Sequence, residues 1–118
     1  MADPGGIGGV TGLLGLATRA RQVSSGEEGA LLLIRKGNAA LALMDQSTGP
    51  NTSKRLTDAC RFHKVMLAWL PEGALGKAIG QPGRMVAAVR KGSLADSISE
   101  AIKGSALEYL NPITVMAE

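Results

Sequence analysis

Short apolar runs alternate with amphipathic stretches along most of this chain, and that alternation restricts the fold more than any other feature. Residues Ala40 to Met44 form an uninterrupted apolar run closed by Asp45, and Val65 to Leu70 and Arg84 to Arg90 supply two more strand candidates. Runs of this length suit strands covered on both faces. The segments between them have a helical period. From about Thr52, Leu56, Ala59 and Cys60 fall on one side of a helix and Lys54, Arg55, Asp58 and Arg61 on the other. Glu72 to Ile79 makes a shorter helix. Leu94, Ile98, Ala101 and Ile102 line a last one that Gly104 closes, with Ser93 and Asp96 at capping-box spacing at its start. Gly26 opens another, in which Ala30, Leu33 and Ile34 share a face; Glu27 and Glu28 occupy the first turn, where negative charge suits the helix dipole, and Lys36 and Gly37 close it. Ahead of it, Leu13, Leu16, Ala17 and Ala20 repeat at helical spacing, and Gln22 to Ser25 fits a brief edge strand. Strand and helix in turn predict an α/β protein with a parallel or mixed sheet covered on both faces.

The length of 118 residues fits one domain. Residues 1–10 are Gly-rich and read as a flexible leader, 11–104 as the ordered domain, and 105–118 as a C-terminal extension of unassigned place. Within that extension Ile113 to Met116 could form a further strand. Cys60 is the sole cysteine, so no internal disulfide can form, which points to a reducing, cytoplasmic setting. The sequence contains neither a run long and apolar enough for a membrane span nor a start resembling a signal peptide.

Thirteen Lys and Arg against ten Asp and Glu leave a charge of +3, compatible with a polyanionic partner without demanding one. One Phe, one Trp and one Tyr are too few for the aromatic platforms of OB-fold or RRM-like readers of single strands, so backbone geometry and loops would carry any nucleic-acid contact. The inventory for catalysis is thin. His63 is the only histidine, and Cys60 three positions earlier lies on an apolar stripe, so the pair reads as a core thiol beside a helix-end imidazole. One Cys and one His cannot assemble a zinc site of ordinary spacing. The Gly-rich leader misses the dinucleotide fingerprint, and Gly73 to Ala78 is too short for a phosphate loop and lacks its Ser or Thr. These absences predict a protein that is not an enzyme and needs no metal or cofactor.

Three stretches then narrow the choice: Leu14 to Glu28 (LGLATRARQVSSGEE), Asn51 to Cys60 (NTSKRLTDAC), and Leu75 to Gly80 (LGKAIG) leading into Arg84 to Val89. In order and spacing they resemble the bacterial ylxQ-type branch of the ribosomal protein L-seven-Ae/L-thirty-e superfamily, over about Leu13 to Ile102. The resemblance implies a three-layer α/β/α sandwich with a central mixed four-stranded sheet, and a non-catalytic protein that binds structured RNA, kink-turn-like or ribosomal, and belongs to the ribosome or RNA metabolism. It places the RNA surface at the start of the second helix, the loop after the second strand, and the loop after LGKAIG.

Carried onto this chain, that surface comprises Gly26, Glu27, Glu28, Lys36, Asp45, Gln81 and Arg84. Helix amides at Gly26 would hold a phosphate. The loop from Asp45 to Asn51 is longer than in the relatives, and Gln81 to Arg84 would approach the RNA backbone; Arg19 and Arg21 are further basic candidates. The archaeal form of the helix motif reads Gly-x-Asn-Glu-x-x-Lys. Here Glu28 stands for the Asn, Gly29 for the Glu and Leu32 for the Lys. Leu32 would thus lie on the outer face, where it suits a protein partner. The resemblance therefore leaves two functions to weigh: an RNA binder, and a protein-interaction module that kept the fold.

Overall fold

The computed structural model describes residues 7–112. Helix α1 spans Ile7–Arg19 and strand β1 Val23–Ser25; α2 is Glu27–Arg35, β2 Ala39–Asp45, α3 Pro50–His63 and β3 Met66–Leu70. Then follow α4 (Ala74–Ile79), β4 (Val86–Arg90), α5 (Ser93–Lys103) and β5 (Tyr109–Leu110). The strands form one mixed sheet in the order β1-β4-β2-β3-β5, with β2 and β3 parallel and every other pair antiparallel. The sheet has five strands rather than four. The additional one is β5, where Leu110 and Tyr109 pair with Leu67 and Ala68 at the free side of β3. The extension after Gly104 is thereby placed in part, and Ile113 to Met116 lie outside the described residues.

Two cores form because side chains alternate across the sheet. Leu41 and Leu43 of β2, Met66 and Ala68 of β3, and Ala87 and Val89 of β4 face α1, α4 and α5. Ala42 and Met44, Leu67, and Val86 and Ala88 face α2 and α3, where they meet Ile34, Leu56 and Cys60. The Cys60 thiol is fully buried in this second core, and burial pushes its pKa up to about 12. It is a packing group.

Three sequence expectations need correction. Helix α1 begins at Ile7, inside the segment read as leader, and buries Val10, Leu14 and Ala17. Of the expected stripe, Ala17 is buried and Leu13 half-buried against the core, while Leu16 and Ala20 are exposed and Val10 and Leu14 take their place inside. Tertiary contact explains the early start. Gly15 packs so tightly that an added Cβ would stand 3.3 Å from the Ala78 carbonyl oxygen, and that closeness to α4 outweighs the weak helix propensity of the glycines. At α5 the capping box does not form. Gly92 is the N-cap, Ser93 is already helical, and the Asp96 amide donates to the Gly92 carbonyl at 3.0 Å. Helix α3 starts at Pro50, ahead of the expected Thr52, because proline is well suited to a first helical position.

Candidate functional site

Parallel strands β2 and β3 both end where α2 and α3 begin, and ligand sites of α/β sheets gather outside such strand ends. The rim is organised from below by Asp45, the one buried charged residue among those described, at 2% exposure. One carboxylate oxygen accepts from the Ser47 amide at 2.7 Å and the Ser47 hydroxyl at 2.6 Å, and the other from the Gly73 amide at 2.8 Å. Burial pushes the Asp45 pKa up, but the Ser47 hydroxyl and the Gly73 and Ser47 amides outweigh it and hold the carboxyl below its ordinary value. Asp45 thus fastens the β2–α3 loop to the turn before α4, with both oxygens engaged inside the protein.

Above it, Gly26 adopts φ 86° and ψ 157°, a conformation almost confined to glycine. Its amide donates to the Val86 carbonyl at 2.8 Å, tying the start of α2 to the start of β4. Gly26 has no side-chain acceptor, and the first amides of a helix have no carbonyl one turn behind them, so they face outward. The Arg84 guanidinium lies across this glycine; a Cβ there would stand 2.6 Å from Arg84 Nη1. Gln81 fixes it, its Oε1 accepting from Arg84 Nε at 2.9 Å and from the Ser25 hydroxyl at 3.0 Å. The loop carrying Gln81 sits close because Gly76 lets it: a Cβ on Gly76 would stand 2.9 Å from the Gln81 carbonyl oxygen and 3.1 Å from the Gly83 nitrogen. Gly80 (φ 73°) ends α4 in the left-handed conformation, so the Gly pair of LGKAIG has a physical reason at both positions.

Glu27 is occupied. Its carboxylate accepts from the Thr52 hydroxyl at 2.9 Å and pairs with Arg55, bracing α2 against α3. The Arg55 hydrogen bond, then that of Thr52, hold the Glu27 carboxyl below its ordinary 4.5. A carboxyl depressed in the folded state contributes stability above its unfolded pKa and loses that contribution as pH falls through the folded value. The stability difference between wild type and Glu27→Gln is therefore expected to hold steady above pH 4.5 and shrink below it. Urea midpoints measured from pH 7 to about pH 3 check this, and a difference independent of pH would show the brace to be uncharged.

The structure thus brings Gly26, Gln81 and Arg84 into one cluster, with Glu27 beside it and Glu28 exposed on the same first turn. It buries Asp45 beneath them. Lys36 stands apart. It caps the far end of α2, nine residues on, or about 14 Å along the axis at 1.5 Å per residue. Leu32 is 55% exposed on the outer face of α2, as its position in the motif implied. Sequence reasoning missed Ser25, Thr52, Arg55 and the Gly73 amide. It also missed Ser47, for which alone a local signal existed, the Asp45-x-Ser47 spacing of an Asx turn. No group of three or more His, Cys, Asp or Glu able to hold a metal occurs among the described residues, and no helix there is long and apolar enough to cross a membrane.

Comparison with known proteins agrees with this fold. RNA-binding protein YlxQ of Bacillus subtilis (strain 168) is 40% identical over 87 residues, which is 73% of this chain and 87% of that protein. A solved structure from Bacillus halodurans C, described as a protein with unknown function, superposes with a TM-score of 0.75 at 30% identity, covering 80% of this chain and 96% of that one. The Giardia lamblia 15.5kD RNA binding protein shares the fold, with a TM-score of 0.71 at 20% identity over 89% of this chain and 91% of its own. A family model matches residues 9–98, and the chain belongs to the ribosomal protein L7Ae/L30e/S12e/Gadd45 family.

Proposed function

We propose that this protein binds structured RNA, kink-turn-like or ribosomal, through the rim at the start of α2, and that it does so without catalysis, in the cytoplasm in company with ribosomes or other RNA machinery. The observation that carries the reading is the Arg84 guanidinium held over Gly26 by Gln81, beside the open amides of α2. That arrangement presents a fixed cation and backbone donors to one phosphate or one guanine edge. The names given to the Bacillus subtilis and Giardia lamblia relatives support an RNA partner. In this reading Gly26, Glu28, Gln81 and Arg84 touch RNA, Glu27 and Asp45 position them, and residues 11–104 with the first turn of α1 form the binding domain.

The test is binding of an internal-loop RNA by fluorescence anisotropy at several salt concentrations. Arg84→Ala is expected to weaken affinity about tenfold and to flatten the plot of log K against log salt by about 0.9. Affinity and slope that both match wild type would remove Arg84 from the interface. Leu32 favours a second reading, a protein partner, since it leaves an apolar side chain exposed where the RNA-binding motif has lysine. Leu32→Lys distinguishes the two: it tightens RNA binding if the rim meets phosphate, and abolishes a protein interaction if the face meets a partner.

A further inference from the structure

The opposite end of the molecule carries a second concentration of positive charge. Helices α2 and α3 both finish there, and β4 leaves the sheet there. One cleft is lined by Ile34, Ala39, His63, Lys64, Val65 and Lys91. A second, on the far side of Asn38, is lined by Ser24, Leu32, Lys36, Asn38 and Arg90. The Lys91 amide donates to the Asn38 carbonyl at 3.0 Å and joins the two. Neither cleft has a carboxylate in its wall. Lys36, Lys64, Arg90 and Lys91 are all exposed, and none takes part in the ion pairs found among the described residues, which engage Lys54, Arg55 and Lys103 instead.

Dipole compensation accounts for Lys36 and Lys64, which cap the C-termini of α2 and α3. It does not account for Arg90 and Lys91, which continue from a strand. Lys64 also occupies a left-handed position (φ 59°) that Gly or Asn adopts at less cost. Next to it Phe62, the only phenylalanine of the chain, is 80% exposed, its ring edge-on to His63 with centroids 4.9 Å apart. Among the described residues that ring is left largely uncovered. Phe62 is one residue from His63 and two from Lys64, which line the first cleft with Lys91; cations for the backbone and an exposed ring for a base are the two components of a single-strand binding surface.

We infer that the cleft between Lys64 and Lys91, with Phe62 at its margin, holds the phosphate backbone of an unpaired RNA strand flanking the structured element that binds at the Gly26 rim. The inference rests on the RNA-binding reading above and adds a second contact surface to it. The protein would then hold two segments of one RNA, the folded part at one end and a single strand at the other. An acidic protein segment is the competing occupant.

The experiment uses two RNAs, one internal-loop hairpin and the same hairpin with a single-stranded extension. Wild type, Lys64→Ala with Lys91→Ala, Phe62→Ala and Arg84→Ala are titrated against both, with thermal melts confirming that each variant folds. The extension is expected to tighten wild-type binding about tenfold. The double variant should bind the extended RNA no better than the plain hairpin, Phe62→Ala should lose part of the gain, and Arg84→Ala should weaken both RNAs by one common factor. A gain that survives in the double variant, or no gain in wild type, overturns the second surface while leaving the rim intact. Failure of wild type to bind either RNA overturns both. No gain from the extension, together with polyglutamate bound by wild type and not by the Lys64→Ala, Lys91→Ala double variant at the same ionic strength, overturns the strand site and assigns the cleft to an acidic protein segment instead.

Discussion

Asp45→Ala is expected to remove about 3 kcal/mol of folding stability, the largest single loss on the functional edge. The side chain is 2% exposed and accepts three hydrogen bonds, from the Ser47 amide, the Ser47 hydroxyl and the Gly73 amide, at 2.6–2.8 Å. Truncation leaves all three donors facing a small cavity. A fully buried donor left unsatisfied costs about 1–3 kcal/mol, and because Ser47 and Gly73 are themselves exposed, water reaches these donors in part and the sum falls well below the simple total. Asn is a poor replacement, because its amide group turns a donor toward other donors. Urea denaturation of Asp45→Ala and Asp45→Asn checks the size of the effect. Because Asp45 fastens the β2–α3 loop to the start of α4, faster amide exchange at Ser47 and Gly73 should accompany the loss. An alanine variant within about 0.5 kcal/mol of wild type would show that the loop is held by other means.

Gly76→Ala is expected to destabilise the protein by about 2 kcal/mol, although the same change in an ordinary helix stabilises by about 1 kcal/mol. The reversal of sign is the diagnostic. The new Cβ would meet the Gln81 carbonyl oxygen at 2.9 Å, the Gly83 nitrogen at 3.1 Å and the Pro82 Cα at 3.2 Å, all of them main-chain atoms that cannot swing aside as a side-chain tip can. The loop must lift from α4, and Gln81 and Arg84 move with it. RNA affinity should therefore fall at least as far as in Arg84→Ala, since the cation and its support are displaced together. Thermal unfolding and the anisotropy titration read the two consequences separately. A variant more stable than wild type would mean that the contact is loose enough to accept a methyl group, and the loop geometry would lose its role in placing Arg84.

The order of strands and helices could be read from the sequence because its pattern is local. Ala40 to Met44 and Val65 to Leu70 are apolar over their whole length since both faces of the sheet are covered, and Leu56 with Cys60 marks one face of a helix without outside help. What escaped depends on distant contacts. The Gly-rich residues 1–10 look like a leader, yet α1 opens at Ile7 and Val10 is fully buried because Gly15 lets α1 lie against α4, a closeness no local window contains. Strand β5 has only two residues and exists through its pairing with Leu67 and Ala68.

The candidate site divides the same way. Gly26 and Arg84 could be named from the family motif, and the structure joins them 58 positions apart in the chain through Gln81. Asp45 ended a strand next to a loop, which made it look available for contact; its burial follows from the Gly73 amide, 28 residues away. Glu27 looked like a helix-dipole charge, and its partner Arg55 lies on the next helix but is 28 residues distant in sequence. Side chains that organise a rim from within are set by such long-range pairings, whereas those that face outward follow helical periodicity.

The sheet finishes on one side with the three residues of β1 and on the other with the two of β5. Its long apolar strands, β2, β3 and β4, therefore expose little continuous ladder on which another polypeptide could extend the array. Copies of the chain crowded together are therefore expected to meet, among the described residues, only these short edges and not the long inner strands.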